Sequence, residues 1–246
     1  MMRTFITFVF IAPLLCLCIQ ACKKPGCVGK AGNIITSERI LPAFSRIALE
    51  DNIDVVLVQS DTEKLQITGP ENILPNIQTI INNNELVISN DTECRWLRDA
   101  SERITVKLYF KDLTYIDYRG SGDVSNEDTL HLNTLGISSE TGAGNIELTI
   151  DNNLIVPTIV KENASIILHG FSFFCSSYIN ARGTLDLSDL NVNEMQIVYS
   201  GLADTYMKVS GKLDATIRYK GNIHYKGNPN IVRSDYFSSG RLIPWP

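Results

Sequence analysis

The sequence predicts an all-β chain, most of it wound into a β-helix or β-solenoid, with a β-rich N-terminal segment continuous with the coils. Three observations predict this. Apolar residues alternate at period two over short runs, most strictly at Ile104, Val106, Leu108 and Phe110. A turn of small residues, then a polar residue, then an aliphatic strand recurs as Gly120-Ser121-Gly122-Asp123-Val124 and, 22 residues later, as Gly142-Ala143-Gly144-Asn145-Ile146. Helical periodicity is nearly absent: only Glu71 to Ile81 suggests a short helix, and Pro75 lies inside it.

Taken from the N-terminus, the first segment reads as an export signal rather than a fold element. Arg3 gives a short positive region, and Phe5 to Ile19 is an apolar run broken only by Thr7 and Pro13. At about 15 residues the run is shorter than the roughly 20 that a membrane-spanning helix needs. Ile19-Gln20-Ala21-Cys22 resembles a lipobox, with Gln20 an imperfect second position. The expected organisation is therefore a lipoprotein signal peptide over 1–21, a lipidated N-terminus with a flexible tether over 22–43, and one continuous domain over 44–246. Cys22 is the predicted lipid attachment site, and more than one acyl chain makes such an anchor effectively permanent. The expected location is the cell envelope, on the outer membrane. Lys23-Lys24-Pro25-Gly26 lacks an acidic cluster of the kind associated with surface export, which leans toward the periplasmic face.

Composition bounds what the tether carries. The chain has 22 Lys and Arg against 27 Asp and Glu, and loss of Arg3 with the signal moves the net charge from −5 to −6. Nothing basic invites nucleic acid. Once Cys16 and Cys18 leave with the signal and Cys22 is lipidated, Cys27, Cys94 and Cys175 remain, widely spaced and without zinc-ligand spacing. An envelope location permits one disulfide among them and does not choose the partners.

The remaining elements follow from alternation. Ile53 to Val58, Leu65 to Thr68, Leu86 to Ser89, Leu185 to Leu187 and Leu213 to Tyr219 all read as strands. Weaker echoes of the small-residue turn follow at Asn163-Ala164-Ser165-Ile166, Arg182-Gly183-Thr184-Leu185, Ser200-Gly201-Leu202-Ala203-Asp204, Gly211-Lys212-Leu213-Asp214 and Gly221-Asn222-Ile223. The spacing is near 20 residues at first and near 10 later, and the coils are most evident over 116–230. Such a period suits a solenoid, because one coil cannot bury its own apolar face and must stack on the next. Calcium binding by Gly-x-Gly-x-Asp is not expected, since that chemistry needs a repeat of about nine residues with dense aspartates.

Several of these segments together resemble a known family, the auto-transporter adhesins with a head GIN domain. The resemblance runs from about Phe44 to the C-terminus. It is carried by Phe44-Ser45-Arg46-Ile47, Asn52 to Gln59, Leu65 to Asn72, the Ile104 to Phe110 strand, the two Gly-rich turns, and a closing Gly221-Asn222-Ile223-His224-Tyr225-Lys226-Gly227-Asn228-Pro229. Departures lie between Asn163 and Ser200, where most glycines are lost, and at Ser238 to Leu242; irregular coils are expected there. The resemblance implies a β body running into a β-helix on an exported lipoprotein, and supplies no catalytic residue.

Candidate chemistry is sparse. His131, His169 and His224 stand apart from one another in sequence, there is no Gly-x-Ser-x-Gly elbow, and neither a metal nor a cofactor is expected. A carbohydrate-active enzyme would need two carboxylates roughly 5–10 Å apart, and Asp186, Asp189, Asp204 and Asp214 could align on successive coils; corner aspartates that accept backbone hydrogen bonds are the simpler reading. Three surfaces could bind a ligand. Arg95, Trp96 and Arg98 could stack on a sugar or anchor a protein. Phe171-Ser172-Phe173-Phe174 alternates as a stacked core would. Tyr219-Lys220 with His224-Tyr225-Lys226 forms a small basic aromatic patch that reads as structural. The expected role is a non-enzymatic, lipid-anchored binding or adhesion protein of the envelope, with the membrane and a glycan or an envelope or host protein as partners. The alternatives are a periplasm-facing structural or assembly lipoprotein and, less favoured, the carbohydrate-active enzyme.

Overall fold

Alternation of apolar and polar side chains makes almost every element a strand. The computed structural model describes residues 32–92, 103–161 and 163–246. In chain order its strands are β1 (Ile34–Ile40), β2 (Arg46–Leu49), β3 (Asp54–Gln59), β4 (Lys64–Pro70), β5 (Ile77–Asn82), β6 (Glu85–Asn90), β7 (Thr105–Phe110), β8 (Tyr115–Tyr118) and β9 (Val124–Asn126). They continue with β10 (Leu130–Ser139), β11 (Asn145–Val160), β12 (Ser165–Asn180), β13 (Thr184–Tyr199), β14 (Thr205–Ile217), β15 (Ile223–Lys226), β16 (Asn230–Tyr236) and β17 (Leu242–Pro244). The helix expected over Glu71 to Ile81 is not there. Pro75 leaves only a single 3-10 turn, Leu74–Asn76, and Ile77 onward is β5.

Two regions share one continuous sheet system, as expected. In the N-terminal part, β4 pairs antiparallel with β1 and β7, and β5 with β6. The β5–β6 turn is Asn83-Asn84, both at positive φ, the geometry of a tight hairpin. Beneath these lies the first coil, since β2 runs parallel to both β6 and β8, and β3 parallel to both β7 and β9.

From β8 onward every ladder is parallel, and the chain returns above itself at each turn to give a solenoid of about six turns. The long strands fold in two because their inward parity slips at mid-length. In β11, Ile146, Leu148, Ile150 and Asn152 point inward, two outer positions follow, and Ile155 and Ile159 then resume the interior. The slip recurs in β12 and β13, so each coil has two arms with a corner between them. The arms close an interior of single-file columns. One runs Ile155, Cys175, Met195, Leu213, and another Ile159, Ile179, Tyr199, Ile217, all buried.

At the coil-to-coil turn, the small-residue signature proves more regular than its glycines suggest. Gly122, Gly144, Ala164, Gly183, Ala203, Gly221 and Gly240 form one column, each followed by a polar residue and then a strand. Close approach explains it. A Cβ on Gly183 would overlap the Ala164 carbonyl oxygen, and one on Gly221 the Ala203 carbonyl oxygen. The spacing stays between 18 and 22 residues, so the 10-residue spacing read from Gly201 and Gly211 is corrected. Gly211 lies within β14, where an added Cβ would press on Asn193. The segment poor in glycine does contain irregularities: the β12–β13 register shifts between Ile167 and Gly170, and β13–β14 shifts on both sides of Asn191 and Val192.

Candidate functional site

Two tyrosines seal the turn corner. The Tyr118 hydroxyl donates to the Gly122 carbonyl at 2.6 Å and accepts from the Gly144 N–H at 3.0 Å, while Tyr199 donates to the Ala203 carbonyl. Burial pushes both phenols up to about 12. Along the outer rim the polar residues after each small one hydrogen-bond in a ladder: the Asp123 N–H to Asp54, Asn145 to Asp123, and Asn222 to Asp204. This corner is structural throughout.

The four aspartates are divided between the two arms of the coil. Asp204 sits in the rim ladder, Asp186 two positions further along its strand beside Tyr206, and Asp214 on the other arm beside Gln196 and Arg233. Each has local work: Asp186 accepts from the Ser188 N–H, Arg233 donates to Asp214 at 2.8 Å, and Asp189 lies 3.7 Å from His169. Partial burial opposes ionisation of Asp204. Hydrogen bonds from the Asn222 backbone and from the His224 and Asn222 side chains outweigh it and hold the carboxyl below its usual range.

The histidines, apart in sequence, each meet a carboxylate of a neighbouring coil: His131 with Asp151 at 3.3 Å, His169 with Glu147 at 3.1 Å, and His224 with Asp204 at 2.7 Å. Among the described residues no three metal-ligating side chains come together. His224 also stacks on Tyr206 with centroids 4.8 Å apart, and Trp245 meets the Tyr206 ring edge-on at 5.3 Å. Lys226 lies over Trp245 at 5.6 Å, and Lys220 over Tyr219 at 5.8 Å. The basic aromatic patch of the C-terminal segment is thus held together by its own contacts. Cys22, Cys27, Cys94, Arg95, Trp96 and Arg98 lie outside the described residues. Cys175 is a buried, free thiol.

The mid-coil corner differs. Its outer positions form two adjacent columns, His131, Asp151, Phe171, Asn191, Lys208 and, one step on, Asn133, Asn153, Phe173, Asn193. Every member but two is polar. The core expectation for Phe171 and Phe173 is therefore corrected: the two residues are 43% and 49% exposed, and Ser172 between them is the inward residue. The inward parity of Ile166 and Leu168 runs unbroken to Ser172 and slips only beyond it, before Cys175, which leaves Phe171 and Phe173 on the outer face. The Ser172 hydroxyl satisfies itself on the Phe174 carbonyl at 3.1 Å. Around the rings, Asn153 donates to Asn133 at 2.7 Å and Asn191 to the Gly170 carbonyl at 3.2 Å, which fixes their amides at the rim of the aromatic pair. Paired exposed rings bordered by amides form a ledge suited to recognition. The sequence displayed these aromatics; only the three-dimensional parity shows them to be outside.

No helix among the described residues is long and apolar enough to cross a membrane. The fold is shared with solved structures of low sequence identity. A "putative adhesin" from Bacteroides fragilis matches with a TM-score of 0.77 at 23% identity, covering 87% of this chain and 97% of that one. A "putative lipid binding protein" from Parabacteroides distasonis matches with a TM-score of 0.66 at 21% identity, covering 87% and 98%. A "putative adhesin" from Parabacteroides merdae matches with a TM-score of 0.59 at 20% identity, covering 86% and 98%. No curated protein matches the sequence. The model of one family matches residues 43–229, three quarters of the chain, and on that match the protein belongs to the family described as "putative auto-transporter adhesin, head GIN domain".

Proposed function

We propose that this protein is a non-catalytic, lipid-anchored binding protein of the cell envelope, of adhesion type, and that it engages a glycan at the mid-coil corner. The observation that carries the reading is the exposure of Phe171 and Phe173 in columns otherwise made of polar side chains. A pyranose ring offers an apolar face to stack on each aromatic and hydroxyls to meet Asp151, Asn153, Asn191 and Asn193. Few large apolar side chains stand exposed together without a partner. The signal-like N-terminus and the lipobox-like Ile19-Gln20-Ala21-Cys22 support anchoring at Cys22, with the tether over 22–43 holding the solenoid away from the bilayer. Membership of an adhesin family is consistent with this role.

The test combines two measurements on the full-length protein in cells. Protease added to intact cells should cleave the chain if it faces outward; full protection would sink the adhesion reading and leave the periplasm-facing structural role. On a glycan array, the unmodified chain should bind a restricted set of sugars, and Phe171→Ser with Phe173→Ser should lose that binding while remaining folded.

A further inference from the structure

The last strand of the β14–β16 arm is unlike every strand beneath it. Among the described residues β16 pairs on one side only, with β14. Its inward positions continue buried columns, Ile231 above Leu213 and Tyr236 above Ile217, yet Ile231 is 41% and Tyr236 43% exposed. Val232 and Phe237 beside them are 60% and 71% exposed. Natural edges are blunted by Pro, Lys or a covering loop. The other terminal strand follows that rule: β17 ends in Pro244, and Pro246 follows. β16 contains neither Pro nor Lys; it carries a bulge at Val232 and, beyond it, one charge of each sign, Arg233 and Asp235.

Its backbone phase identifies what the free edge presents. Phe237 donates its N–H to the Ile217 carbonyl. Successive residues of a strand turn their backbone groups to opposite sides, so Arg233, Asp235 and Phe237 address β14, while Ser234 and Tyr236 turn theirs to the open side. The side chains are symmetric about the same residue. Ile231-Val232-Arg233-Ser234-Asp235-Tyr236-Phe237 reads, outward from Ser234, as a charge of each sign, then two apolar residues on either side. An antiparallel copy centred on Ser234 therefore sets Arg233 opposite Asp235 twice, with Tyr236 meeting the partner strand at the Val232 bulge, where the regular pairing ends. Ser234 faces itself at a pair that exchanges both backbone hydrogen bonds, and the charged residues fall at the closer pairs between them.

We propose that β16 is a self-association edge, and that two copies of this chain pair through it, antiparallel about Ser234 across a two-fold axis. The contact is isologous and closes at two. It also covers the two uncapped columns, which a solenoid needs at its ends. Because β17 stands one strand further on the opposite arm, the copies join along the β16 side and diverge on the other.

Ser234→Cys in the full-length protein, oxidised in cells, tests this. A hydrogen-bonded antiparallel pair holds its Cα atoms about 5.5 Å apart, within the roughly 4.4–6.8 Å a disulfide spans. A covalent dimer is expected on a non-reducing gel, above the background of the same chain without the new cysteine. Adding Asp235→Arg should abolish it by setting like charges opposite, and adding Arg233→Asp as well should restore it. Cys175 remaining unreactive to a thiol reagent checks that each variant is folded. The mass of the unaltered chain in mild detergent, followed over concentration, should shift from one copy to two. A folded Ser234→Cys chain that stays monomeric overturns the proposal, as does a dimer indifferent to the charge changes.

Discussion

The two corners of the solenoid are built from the same coils and obey opposite rules. At the turn corner each coil repeats small residue, polar residue, aliphatic strand, and neighbouring backbones approach too closely for a Cβ at Gly183 or Gly221. At the mid-coil corner the outer positions change from coil to coil: His131, Asp151, Phe171, Asn191, Lys208. Repetition marks where stacking dictates the residue. Variation marks where stacking is indifferent, and there the chain is free to place side chains for recognition.

The sharpest way to break the contrast is Gly183→Val. Its Cβ would sit 2.1 Å from the Ala164 carbonyl oxygen and close to the rest of that backbone, so destabilisation of about 3 kcal/mol or more is expected. Urea unfolding followed by circular dichroism measures it, and a change under 1 kcal/mol would mean that the corner yields. Tyr118→Phe comes next, at about 1–3 kcal/mol, because it leaves the Gly122 carbonyl and the Gly144 N–H without their partner. Tyr199→Phe orphans only the Ala203 carbonyl and should cost less.

The same tyrosines predict alkaline lability. Their folded pKa of about 12 lies above the ordinary 10, so the stability they contribute is present in full below pH 10 and is lost as pH rises through 12. Phenolate absorbance and circular dichroism should therefore change together for these two groups, and Tyr118→Phe should remove part of the transition. The smallest effect on stability belongs to Phe171→Ser with Phe173→Ser, within about 0.5 kcal/mol of the unaltered chain. A large loss there would show the rings to be packing after all.

Sequence and structure agree where local rules act alone. The Ile104 to Phe110 alternation became β7 with Val106, Leu108 and Phe110 fully buried, and the Gly122 and Gly144 turns announced the period. Ala164 and Ala203 carry a weaker signal, because alanine suits a tight corner but suits many other places too. Gly211 misled for the converse reason: a glycine serving the opposite corner looks the same in one dimension. Phe171 and Phe173 were visible as a motif and invisible as a surface. Alternation says which residues share a face, and only the stacked coils show that the face of Ile166, Leu168 and Ser172 is the buried one, with Phe171 and Phe173 opposite. The partners of His131, His169 and His224 lie about 20 residues away and exist only once coils stack.

Cys175 lies within the third long strand, between Ile155 and Met195, fully buried, its thiol pushed up by burial alone. A reagent can reach that sulfur only when adjacent coils part. The rate at which it is modified is thus a clock for breathing at the middle of the stack. Slowing of that clock when a ligand is added would report tightening of the coils without any label being introduced.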